Sequence, residues 1–279
     1  MKKSALFVLA VLFTGITFSQ NTKVVSAYNY LRNGQLDKAK LNIDEACANE
    51  QTKGQAKTWY YCGNIYLSIA LTTEAKYKSL DSNAIQIAYD SYQKAIQIDP
   101  EISNEGLNPS SPKMGLFYLG DQFYNKGVDL FYKKQYTEAL AKFEMTKKIN
   151  NIFGVKDSNA TFNAALCAVQ LKDNKKAKGL FEELIKNNFK QGLIYTQLSS
   201  IYKSEGDSVK AEAIIQKGRK ALPSDLNLII ADINMLLSKG KTTEAQDLLN
   251  LAVSKDPNNA TLHFAIGANM DEFGNFDQA

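Results

Sequence analysis

The chain has 279 residues, of which 44% are hydrophobic and 22% charged, with only five prolines; this is enough apolar material for a packed core and excludes a disordered polymer. Its formal charge is +4, from 33 Lys and Arg scattered among 29 Asp and Glu, and it falls by two when Lys2 and Lys3 are left out. So small a surplus offers no electrostatic footprint for nucleic acid or for an anionic membrane surface.

Residues 1–20 read MKKSALFVLAVLFTGITFSQ, a short cationic start, an apolar stretch from Ala5 to Phe18, then small or polar residues. That layout predicts a secretory signal over residues 1–19, with Thr17 and Ser19 as the small residues before the cut. The apolar stretch falls short of the roughly 20 residues needed to span a bilayer as a helix. No cysteine follows it, which argues against a lipid anchor. The expectation is an exported protein, periplasmic or associated with the envelope of a bacterium, with no membrane insertion once the signal is removed.

From residue 20 onward the chain repeats itself. Ala177, Ala211, Ala245 and Ala279 are each 34 residues apart, and Ala139, Ala88 and Ala39 extend the series backward with gaps of 38, 51 and 49. The surrounding text repeats as well: NGQLDKAK at 33–40, KKQYTEAL at 133–140, KDNKKAKG at 172–179, EGDSVKAE at 205–212, KGKTTEAQ at 239–246 and FGNFDQA at 273–279. Each unit predicts two antiparallel helices, a first with apolar and small residues at helical spacing (Trp59, Cys62, Gly63, Tyr66) and a second with a small residue followed by large and small ones (Ala88, Tyr92, Ala95). Pro100, Pro223 and Pro257 follow second helices, where proline stops the helix.

Two stretches break the period. The second unit carries 13 extra residues, LTTEAKYKSLDSN, an insertion near 72–84. The segment 101–112, with Pro109 and Pro112 in a Ser and Asn cluster, reads as a linker between an N-terminal pair of repeats at 20–100 and an array at 113–279. Phe117, Tyr118, Phe123 and Tyr124 put the start of the next helix near Lys113. The last repeat is incomplete, and the absence of a polar capping helix leads us to expect a longer protein or a partner over that end.

These residues resemble the tetratricopeptide repeat. The run Trp59-Tyr60-Tyr61-Cys62-Gly63-Asn64-Ile65-Tyr66 is similar to the family's first-helix pattern of Trp, two residues, Leu, Gly, two residues, Tyr, departing at Cys62, and IQIDP at 96–100 and VSKDPNNA at 253–260 look like its inter-repeat turn. Ala165 and Ser199 stand at the glycine site, and Asp232 at one that is normally apolar. The resemblance implies an all-α fold, a right-handed α-solenoid of stacked antiparallel helix pairs forming a superhelix, and a concave face lined mainly by first helices that holds a protein or peptide partner.

Helical spacing then nominates the residues on that face: Lys57, Tyr60 and Asn64 from the second unit, Tyr124, Asn125, Val128 and Phe131 from the third, Phe162, Asn163 and Leu166 from the fourth. Aromatic rings supply contact area, and asparagine amides both donate to and accept from a peptide backbone. Some members of the family clamp a C-terminal carboxylate with cations beside asparagines. Here Tyr60 and Asn159 occupy the cationic positions and only Lys57 lies near, so that clamp is not expected.

No enzymatic motif is present, and no cofactor or metal is expected. The lone histidine, His263, stands where a packing aromatic belongs. Cys47, Cys62 and Cys167 lack metal spacing and read as small buried hydrophobes, although Cys47 and Cys62 fall on adjacent helices where one disulfide is conceivable. The reading is a non-enzymatic interaction scaffold; the alternative is the ligand-binding N-terminal portion of a larger envelope enzyme or receptor continuing past residue 279.

Overall fold

The computed structural model describes residues 22–104, 111–260, 262–264 and 267. The signal reading for residues 1–19 and the final period alanine, Ala279, lie outside them. Among the described residues there is no strand, and the helices come in antiparallel pairs: α1 (22–32) with α2 (Leu36–Ala48), α3 (Ala56–Leu71) with α5 (Ala84–Ile98), α6 (Pro112–Tyr132) with α7 (Tyr136–Ile152), α8 (Ser158–Gln170) with α9 (Asn174–Lys186), α10 (Gly192–Ser204) with α11 (Ser208–Ala221), and α12 (Leu226–Ser238) with α13 (Thr242–Lys255). The short α4 (Ala75–Lys78) lies in the insertion, and a 3-10 turn spans Pro100–Asn104. No described helix is long and apolar enough to cross a membrane.

The period seen in the sequence is a period of burial. Ala39, Ala88, Ala139, Ala177, Ala211 and Ala245 are all 0% exposed, because a methyl group is what fits where the two helices of a pair cross most closely. Five residues before five of these alanines, the backbone turns left-handed: Gly34, Lys134, Lys172, Gly206 and Gly240 have φ between 59° and 81°. At each of these turns the amide one residue further on donates back to a carbonyl five residues earlier, Gln35 to Tyr30, Gln135 to Leu130, Asp173 to Ala168, Asp207 to Tyr202 and Lys241 to Leu236, at 2.9–3.0 Å. This is the closure that ends a helix by satisfying its last carbonyls. Asp173 and Asp207 also cap the following helix, accepting from the amides of Lys176 and Lys210 at 3.0 Å. The second unit is the exception: Asn83, five before Ala88, has φ −102°, since the insertion enters α5 from another direction.

By its internal packing the chain divides into two compact units, residues 1–160 and 161–279. The division falls in the first turn of α8 and not at 101–112. Across that predicted linker α6 packs on both α3 and α5, and the 3-10 turn at its start is docked, with Ile102 buried against Tyr60 and Ala95. Residues 105–110 of the linker are outside the described set. α6 begins at Pro112, with Ser111 accepting from the amide of Met114.

In the first unit the core runs through Ile43, Ile65, Leu119, Phe123 and Ile149, and Tyr92 sits at its centre. Gly63 on α3 and Gly115 on α6 press against its ring so closely that a Cβ at either would collide with it. The Tyr92 hydroxyl donates to Asn64 Oδ1 at 2.7 Å. The motif glycine is thus a seat for a tyrosine of the following helix.

The second unit is built from the layer of Phe181, Leu184, Ile194 and Leu198, continued by Ile215 and Leu228, and from a further cluster around Ile233, Leu249 and Leu262. Ser199, at the glycine position, is 3% exposed and its hydroxyl donates to the Ala211 carbonyl at 2.9 Å. Asp232, on a normally apolar site, accepts from Gln216 Nε2 at 2.6 Å and faces Arg219 Nε at 3.6 Å, so the buried carboxylate is paired. His263 does not pack as expected. It is exposed, and its Nε2 lies 2.6 Å from the Pro257 carbonyl.

Candidate functional site

The insertion of the second unit is anchored to the body. Tyr77 of α4 is 5% exposed and belongs to the core, while Asp81 faces Lys40 Nζ at 3.6 Å. Lys40 also donates to Asp44 at 2.9 Å. That hydrogen bond, with the charge of Asp81 adding to it, holds the Lys40 ammonium above its usual pKa against the opposing effect of burial. Asp44 accepts in turn from the Tyr66 hydroxyl at 2.7 Å; burial first and this bond second push the Tyr66 phenol well up. One network therefore ties α2, α3 and the insertion together.

Held in this way, the insertion forms one side of a groove of about 510 Å³ in the first unit. Its base is apolar, from Ile69 and Ala70 at the end of α3 and Ala84 and Ile85 at the start of α5. Thr72, Lys78, Asp81 and Ser82 line the insertion side, and Gln122, Asn125, Lys126 and Asp129 come from α6. These four recur at i, i+3, i+4 and i+7, which is one face of a helix. The Lys126 charge reaches beyond the groove: burial first and Lys126 second depress the pKa of Lys142 on α7. An apolar base between walls bearing amides, two hydroxyls and both signs of charge can take an apolar side chain and hydrogen-bond the chain that carries it.

Of the ten residues nominated from the sequence, Asn125 lines this groove. Tyr60 and Asn64 are 0% and 1% exposed, so they are core residues and are withdrawn as contacts; Tyr60 packs with Ala95 and Ile102, and Asn64 receives Tyr92. Lys57 is exposed but stands at the opposite end of α3 from Ile69. Tyr124, Val128 and Phe131 are half-buried, with Tyr124 edge-on to Phe143 and Phe131 edge-on to Tyr136. Phe162, Asn163 and Leu166 are half-buried and belong to the second unit, where Phe162 and Leu166 pack on the core and Phe162 lies 5.9 Å from Phe189. The residues missed were Lys78, Asp81, Gln122, Lys126 and Asp129. The polar stripe on α6 was a readable signal for three of them.

Among the described residues no three His, Cys, Asp or Glu side chains are grouped so as to hold a metal ion.

No family model matches the sequence, and no curated protein is similar to it. Solved structures with similar chain paths include the type IV pilus biogenesis factor PilW, at 14% identity and a TM-score of 0.44, covering 89% of this chain and 98% of that one. A tetratricopeptide repeat protein from Parabacteroides merdae scores 0.42 at 16% identity, covering 90% of this chain and 99% of its own. YrrB, described as a TPR protein with an unusual peptide-binding site, scores 0.41 at 16% identity, covering 80% and 96%. Scores of this size do not establish a shared fold over whole chains. The buried period alanines, the repeated left-handed closures and the glycine seat for Tyr92 define the fold from within: the described residues form an all-α protein of antiparallel helix pairs, the architecture that the sequence's resemblance to the tetratricopeptide repeat implies.

Proposed function

We propose that the chain is a non-enzymatic scaffold that holds a protein or peptide partner, and that the groove between the second unit's insertion and α6 is where the partner sits. The observation that carries this is the groove's composition: an apolar base from α3 and α5 flanked by the polar stripe Gln122, Asn125, Lys126 and Asp129. Asn125 and Gln122 supply both donors and acceptors for an extended backbone, and Ile69, Ala70 and Ile85 receive an apolar side chain. The N-terminal segment MKKSALFVLAVLF, read as an export signal, is what supports a partner at a bacterial envelope.

The test uses the mature protein. A photo-reactive side chain at position 125 is expected to cross-link the partner in the envelope fraction, whereas the same group at Val209, 80% exposed in the second unit, is not. Once the partner is identified, Ala70→Trp, which fills the base, and Asn125→Ala with Lys126→Ala are each expected to weaken binding by about tenfold, roughly 1.4 kcal/mol. Undiminished binding by both variants overturns the groove as the site. A partner that cross-links equally at 125 and 209 does the same.

A further inference from the structure

The charged residues that line the groove differ in what they already hold. Asp81 faces Lys40 Nζ at 3.6 Å, and Lys40 is not part of the lining. Lys78 on the insertion side and Lys126 on the α6 side are exposed, and among the described residues neither makes an ion pair or a side-chain hydrogen bond. Asp129, three residues beyond Lys126 on α6, is unpaired in the same sense. Two cations therefore stand free against one acid. A further cation lies behind them: Lys142 Nζ is 5.3 Å from the centroid of the Phe123 ring, and Phe123 precedes Lys126 by three residues on α6. Burial and then Lys126 lower the pKa of Lys142, with Asp90 opposing them, so the positive charge of Lys126 is felt as far as α7.

The base and the lysines also lie at different depths. Ile69 is 3% exposed and Ala70 and Ile85 are half-buried, whereas both lysines are at the rim. Side chains of an extended chain alternate in direction. When one of them enters the base, its neighbours point back to the rim, where a carboxylate meets ammonium groups carried on long flexible stems. We propose that the partner segment is an extended internal peptide in which an Asp or Glu adjoins an apolar residue, the apolar side chain resting on Ile69, Ala70 and Ile85 and the carboxylate between Lys78 and Lys126. This rests on the groove being the partner's seat. The carboxylate belongs to a side chain and not to a chain terminus, because the α6 lining continues on both sides of Lys126, from Gln122 to Asp129, about 10 Å of helix along which the peptide runs on.

The experiment selects random dodecapeptides on immobilised mature protein, each joined to its phage carrier through its C-terminus so that no terminal carboxylate is offered. The expected result is enrichment of peptides that place Asp or Glu beside Leu, Ile, Val, Met or Phe, and loss of that enrichment on Ala70→Trp. An enriched peptide is then made with an amidated C-terminus. Changing its acid to the matching amide is expected to weaken binding about threefold, and Lys78→Gln and Lys126→Gln about threefold each, while Lys126→Arg retains it. Losses from the peptide and protein changes are expected to overlap and not to add, as they do for groups in contact. Peptides that are lost on Ala70→Trp but carry no acid, or whose acid can be replaced without loss, overturn this inference and leave the groove standing as the site. Peptides enriched equally on Ala70→Trp, or no enrichment at all, overturn both.

Discussion

Tyr92 shows how much of one repeat is decided by its neighbours. Its ring lies between Gly63 and Gly115, and its hydroxyl ends on Asn64, so three residues on two other helices are committed to one side chain. Gly115→Ala is expected to cost about 1–3 kcal/mol, because the added methyl must displace a ring that has nowhere to move; a chemical denaturation midpoint measures it. The same packing explains the nomination that failed. Tyr60 and Asn64 are four apart and do share a helix face, but the face is covered by α5 and by the 3-10 turn at Ile102. Spacing finds the stripe. It does not say which neighbour lies on it, since that depends on chain far away in sequence.

At the scale of the element, the helix-ending turns are the part of the fold most plainly written in the residues. Gly34, Gly206 and Gly240 take the left-handed backbone at no steric cost, whereas Lys134 and Lys172 take it at φ 61° and 59° with a side chain attached. Lys134→Gly is expected to stabilise the protein by up to about 1 kcal/mol, read as a rise in thermal midpoint, because it relieves the crowding of Cβ in that region. The gain is limited by the extra freedom glycine brings to the unfolded chain. The insertion was legible as an interruption of the period and illegible as a structure: a four-residue helix cannot be foreseen from AKYK, and Tyr77 and Asp81 find their places only against the core and Lys40. The groove is likewise a product of elements far apart in sequence, so its α6 stripe was visible and its other wall was not.

Cys167, Tyr66 and Lys40 share one direction of response to pH, opposite to that of Lys142. Burial pushes the Cys167 thiol up to about 11, and the Tyr66 phenol and Lys40 ammonium are also raised. For each, the folded protein holds its proton where the unfolded chain releases it. The stability they contribute is therefore complete at neutral pH and is lost as pH rises, for Cys167 from about 9 towards about 11. Unfolding by urea is expected to become easier by on the order of 2 kcal/mol across that interval from Cys167, and Cys167→Ala should flatten the slope. The 34-residue period was legible because every unit solves the same crossing with an alanine. The division at residue 160 was not, since nothing in the composition marks it.

The turn before Ala88 lacks the left-handed residue shared by the other five, and this bears on how such a chain can grow or shrink. A stretch cut from Lys172 to Glu205 begins at one left-handed corner and stops just before the next, at Gly206, so duplicating or excising it joins like corner to like. No such cut frames the second hairpin. Loss of that hairpin would also remove Ile69, Ala70, Ala84 and Ile85, and with them the groove they line.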